Sequence, residues 1–203
     1  PTGSNRGALT VPEFELQRTK IVSAITRLNA DVVGLMEIEN NGYGDNSAIA
    51  NLVAALNAAQ PDEADHYAWV ASPDGQPIGT DAITVGLIYR PASVTPQGAA
   101  SLIVLPVQQA EALDASGKPV TINQGMRESL LQRFSSPKGD APLTLVVNHL
   151  KSKGSACFED YPDYVTADPL DGQGHCNALR VSAAAGSVAS VPLCARSFGQ
   201  VAR

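Results

Sequence analysis

The stretch "LTLVVNHLKSKG", Leu143 to Gly154, changes character within a few residues. Five apolar or β-branched residues come first, and a polar, basic loop follows. A run of this kind is too short for an amphipathic helix and reads as a buried strand that surfaces at its end. His149 stands at the changeover. An imidazole there can hydrogen-bond a phosphoryl oxygen or move a proton near neutral pH. It can equally be a histidine satisfied by a neighbouring carbonyl, and the stretch alone does not choose.

The rest of the chain supplies elements to pack against that strand. Glu13 to Asn29 has helical spacing, with Ile21, Val22, Ile25 and Leu28 on one face. "DVVGLMEIE", Asp31 to Glu39, follows as a strand. A Gly/Asn loop then ends in good helix-capping residues, and Ile49, Leu52, Val53 and Leu56 mark a second amphipathic helix. "HYAWVAS", "DAITVGLIYRP", "SLIVLP", "RESLLQRFSS" and "APLTLVVNHL" read as strands, and another helix is expected from Asn177. Helix, strand, helix and then mostly strands is a mixed α/β order with a large antiparallel part. After about Gly186 the periodicity fades, and poor order is expected in the tail, residues 187–203.

Bulk properties narrow the function. With 203 residues and 44% hydrophobic content the chain can build one ordinary core. Its net charge of −6 provides no general attraction for nucleic acid, so a phosphate ligand would need local cations or a metal. No apolar run approaches the roughly 20 residues that span a bilayer. The chain opens without Met on "PTGSNRGALT", for which a processed or truncated product is the simplest explanation.

Several side chains invite a chemical reading beside a plain one. Glu37 and Glu39 close an apolar strand, where a carboxylate at a sheet rim can bind a hard cation; two solvated acids are the alternative. Arg127 offers a fork of donors to an oxyanion, or is an ordinary surface arginine. Lys151 and Lys153 add positive charge beside His149. Cys157 and Cys176 flank a polar loop, and a disulfide between them would imply an oxidising compartment; three unrelated small apolar residues, Cys194 included, are the alternative. The acidic loop between them lacks EF-hand spacing and reads as hydrated. His66 and His175 read as surface residues. A nucleophile elbow, a phosphate-binding glycine loop, a dinucleotide fingerprint and a zinc-protease helix are all absent.

Taken in order, "QRTKIVSAITRLNADVVGLMEIEN", "DAITVGLIYRP", "MRESLLQRF" and "LTLVVNHLKSKGS" resemble the endonuclease/exonuclease/phosphatase superfamily, the deoxyribonuclease-I-like group, and within it bacterial secreted nucleases. "ENNGYGDNSAIANLVAALN" and "DGQGHCNALR" resemble the secreted branch. The likeness runs from about Arg6 to about Ala185. It implies an α/β (α+β) fold, a four-layer α/β/β/α sandwich incomplete at both ends, with residues 1–186 forming a partial domain.

The resemblance also implies roles. Glu37 would bind the catalytic divalent cation, Mg²⁺ foremost with Mn²⁺ or Ca²⁺ as alternatives; Glu39 is not the matching position. His149 would lie against the scissile phosphate and Arg127 would contact phosphate. Asn148 and Lys151 would help hold substrate, and Asp81 would face the same place. The implied reaction is hydrolysis of a DNA phosphodiester by a monomeric extracellular or periplasmic enzyme. A lipid or sugar phosphodiesterase of the same fold, or a non-catalytic secreted binding module, are the alternatives. The family's first strand with its asparagine, its "GDLN"-type strand and its closing Asp-His pair are not found in this chain. Little activity is therefore expected of it alone.

Overall fold

The computed structural model describes residues 8–191 apart from 115, 140, 160 and 165–167. The chain divides into two compact units: Pro1–Leu102 with Ser129–Asn148, and Ile103–Glu128 with His149–Arg203.

The first unit begins with α1 (Val11–Leu28). Thr10 and Glu13 form a reciprocal capping box, Thr10 Oγ1 accepting from the Glu13 N–H and the Glu13 carboxylate accepting from the Thr10 N–H. Asn29 closes the helix at φ 50°, a left-handed conformation that asparagine tolerates. α2 (Ala48–Ala58) starts at Ser47, whose hydroxyl accepts from the Ala50 N–H. The caps explain why both helices begin where they do, the first two residues ahead of its apolar periodicity.

β1 (Val32–Glu39), β2 (Ala68–Trp69) and β3 (Ile83–Tyr89) form an antiparallel sheet in the order β1-β3-β2. β3 is central and buried on both faces, which its near-continuous apolar sequence requires. Its side chains alternate between two cores. Val85 and Leu87 face one, with Leu130, Phe134 and Val147. Ile88 faces the other, with Ile25 of α1 and Ile49, Val53 and Leu56 of α2. The residues of the first core belong to a second sheet, in which β8 (Ser129–Ser135) pairs with β4 (Thr95–Pro96), β5 (Ser101–Ile103) and β9 (Leu143–Val147). The first unit is thus a helical layer on one sheet, with a second sheet on its other face. Leu87, Ile88, Leu56, Leu130 and Phe134 are fully buried, and each contributes about 1.5–3 kcal/mol of burial.

Arg90 locks the edge of this unit. Arg90 is 4% exposed, and its guanidinium stacks 5.1 Å from the Tyr67 ring centroid and lies 3.5 Å from Asp65 and 3.8 Å from Asp31.

The second unit holds a hairpin, β6 (Gln108–Leu113) and β7 (Pro119–Gln124), and α3 (Asn177–Ser190). The hairpin is not among the expected strands. Its outer face is polar, which hides the alternation of Ala110, Ala112 and Ile122. The unit's core is Ala112, Ile122, Phe158, Leu179 and the Cys157–Cys176 disulfide, whose sulfurs are 2.06 Å apart. α3 does not stop near Gly186 but continues to Ser190. Gly186 is part of the packing: a Cβ there would lie 2.8 Å from the Pro106 ring. Residues 192–203, with Cys194, lie outside the described residues.

Candidate functional site

β1 does not run straight into its end. Leu35 pairs with Gly86 and Ile38 with Thr84, so three steps along β1 oppose two along β3. One extra residue is accommodated as a β-bulge. Glu37 lies in it with φ 59°, the left-handed region that costs a side-chain-bearing residue about 1–2 kcal/mol. Bulges of this kind re-aim a side chain and recur beside active sites. Beyond the bulge Ile38 still faces the helices, so the core contacts survive the extra residue. Met36 and Glu37 are both exposed.

The loop opposite this end of β1 is tied to it. The Asn40 side-chain amide donates to the carbonyls of Ile78 at 2.8 Å and Asp81 at 2.9 Å, and its oxygen accepts from the Ile78 N–H at 3.0 Å. The Asn40 N–H donates to the Ala82 carbonyl, continuing the ladder in which Glu39 faces Ile83. Glu37, Glu39 and Asp81 therefore gather at one end of the β1–β3 ladder. Glu39, Asn40, Tyr43, Ile49 and Thr84 also line a cavity of about 10 Å³, room for roughly one water. Burial holds the Tyr43 phenol above its ordinary pKa, opposed by hydrogen bonding to Ser72.

Asn148 also belongs to the first unit, just past β9. Its side-chain oxygen accepts from the buried Ser129 hydroxyl at 2.5 Å, so the amide is held from β8. Val147 before it lies under β1, where a Cβ on Gly34 would come within 3.2 Å of its Cγ2.

Arg127, His149 and Lys151 belong to the second unit. Arg127 precedes β8 and is half-buried; His149 follows Asn148 and is also half-buried. Lys151 lies 3.7 Å from Glu159, whose other oxygen accepts from the Ala156 N–H. His66 and His175, expected at the surface, are half-buried, and the His66 ring lies 3.1 Å from the Gln60 carbonyl.

Among the described residues no group of three or more His, Cys, Asp or Glu side chains is arranged to hold a metal ion. Mg²⁺ keeps several waters and takes one or two carboxylates, so exposed Glu37 fits an open, water-rich site and not a closed cage. Two positions escaped the sequence reading. Asn40 had a signal, a polar residue directly after an apolar strand; Ser129 had none. No helix among the described residues is long and apolar enough to cross a membrane.

No protein-family model matches this chain, and neither does any curated protein or solved structure.

Proposed function

We propose that this chain is the larger part of a secreted, metal-dependent phosphodiesterase that hydrolyses the DNA backbone. The observation that carries the reading is Glu37, an exposed carboxylate held at φ 59° in a bulge beside the loop bearing Asp81. A strained conformation on an otherwise regular strand costs stability, and the gain it supports is the aim of that carboxylate. The resemblance implies the same residue as the metal ligand. The helix–sheet–sheet layering of the first unit supports the four-layer sandwich as the whole architecture.

In this reading Glu37 holds the divalent cation, which when bound neutralises charge developing on the phosphoryl oxygens. Arg127 and Lys151 bind phosphate by charge-assisted hydrogen bonds, and the Asn148 amide, fixed by Ser129, holds a substrate oxygen. His149 hydrogen-bonds a non-bridging oxygen or passes a proton toward the leaving oxygen. Phosphate contacts carry no base identity, so weak sequence preference follows. No "GDLN" stretch is found in this chain, and its Asp65-His66 pair precedes β2 and is not the family's closing Asp-His pair, so weak or no nicking of DNA is expected of this chain by itself.

Calorimetric titration of the purified chain with Mg²⁺ and Mn²⁺ tests the reading. Binding that disappears in Glu37→Ala is the expected result. Absence of binding in the unsubstituted chain would favour a non-catalytic binding module instead.

A further inference from the structure

We propose that the stretch "DGQGHCNALR", Asp171 to Arg180, is a positioning element for the segment His149–Gly154, with Gly174 and Arg180 as its working residues. All of these residues lie in the second unit. The stretch forms a turn with φ 78° at Gly172 and 73° at Gly174, followed by Cys176 at 57°. The turn rests directly on the segment. A Cβ on Gly174 would lie 2.8 Å from the Lys153 carbonyl oxygen and 2.9 Å from its Cβ, so only glycine allows this approach. The neighbouring His175 N–H donates to that same carbonyl at 3.0 Å.

The turn is in turn held by α3. The Arg180 guanidinium donates through one nitrogen to the His175 carbonyl and through the other to the Gln173 carbonyl at 2.6 Å. A planar fork can bridge two carbonyls in this way, and an ammonium cannot do so with the same geometry. The Cys157–Cys176 bond closes the arrangement by joining the far side of the segment to the start of α3. The chain of contacts therefore runs from α3 through Arg180 to the turn, from the turn to Lys153, and along the backbone to Lys151 and His149. The glycine-containing turn thereby gains a purpose: it sets the backbone on which the proposed phosphate-facing groups stand. That purpose rests on the phosphodiesterase reading; the positioning itself does not.

Amide exchange and NMR shifts of the purified, oxidised chain test it. The His175 amide is expected to be protected, and an unprotected His175 amide in the unsubstituted chain overturns the proposal without any variant. In Arg180→Ala and Gly174→Ala its protection should fall roughly tenfold, as loss of one net hydrogen bond allows. The His149 ring and the amides of Leu150 to Gly154 should shift, while Leu179 and Ala183 in α3 keep their protection. Arg180→Lys, which keeps a donor for one carbonyl, should fall between. Variants with an intact α3 whose His149 and Lys153 signals do not move overturn the proposal. Adding bis(p-nitrophenyl) phosphate with Mg²⁺ reads the other question separately. Shifts at His149 and Lys151 in the unsubstituted chain support the phosphodiesterase reading. Their absence removes the phosphodiesterase reading, while the exchange result still decides the positioning.

Discussion

Asn40 and Ile78 hold each other by two hydrogen bonds, side-chain amide to carbonyl at 2.8 Å and backbone N–H to side-chain oxygen at 3.0 Å. A side chain that mimics a backbone pair in this way extends the β1–β3 ladder into a loop that has no strand to bond to. Asn40→Ala should therefore cost about 1–3 kcal/mol, because the Ile78 N–H and the Ile78 and Asp81 carbonyls lose a partner together. Asn40→Asp keeps the acceptor and loses both donors, so it should fall between. Urea denaturation measures the total, and faster exchange of the Ile78 amide locates it. An unchanged Ile78 amide would contradict the arrangement.

The bulge makes an ordering prediction at Glu37. Alanine keeps the Cβ that the left-handed conformation penalises, and glycine removes it. Glu37→Gly should be about 1 kcal/mol more stable than Glu37→Ala in denaturant titrations. On the proposed metal-binding role of Glu37, both should also lack Mg²⁺ binding, since both lose the carboxylate. Equal stability of the two variants would place Glu37 in ordinary extended backbone.

The disulfide closes a loop across a sequence separation of 19 and lies in the core of the second unit. Replacing both cysteines by serine should lower stability by about 3 kcal/mol through the freed unfolded chain, and by more if the buried hydroxyls go unsatisfied. Reduction of the unsubstituted chain followed by urea titration provides an independent value. A shift below about 1 kcal/mol would mean that the loop is already constrained without the bond.

Acid should loosen the β6–β7 turn. The Asp114 carboxylate accepts from the Ser116 hydroxyl, the Lys118 N–H and the Ser116 N–H, which together hold its pKa below the ordinary value. A depressed folded pKa means the carboxylate favours the folded form above the ordinary aspartate pKa of about 3.9, and that this is lost as pH falls through the folded value. The Ser116 and Lys118 amide signals should titrate together in that acid range. Asp114→Ala should remove the titration.

Part of this could be read directly from residue order. α1, α2, β1, β3 and β9 announce themselves by local patterns: capping residues ahead of α2, a 3.6-residue apolar repeat, and apolar runs bounded by turn residues. The β6–β7 hairpin did not, because a strand with one polar face and alanines on the other shows little alternation. Gly186 looked like an interruption of α3, yet a helix facing the Pro106 ring needs a residue without a side chain there.

By itself, then, the sequence determined a mixed α/β chain, the residue types available for phosphate chemistry, and the helices and strands that carry them. Those properties depend on neighbours a few positions away. The tertiary structure decided the bulge that turns Glu37, the Asn40 clamp on the Asp81 loop, the Ser129–Asn148 bond and the seat of the "DGQGHCNALR" turn on Lys153. Each joins residues at least 19 positions apart in sequence or depends on a register shift between strands. Hydrogen bonds and close packing between such distant groups leave no periodic trace in the order of residues, because only the folded chain brings them within reach.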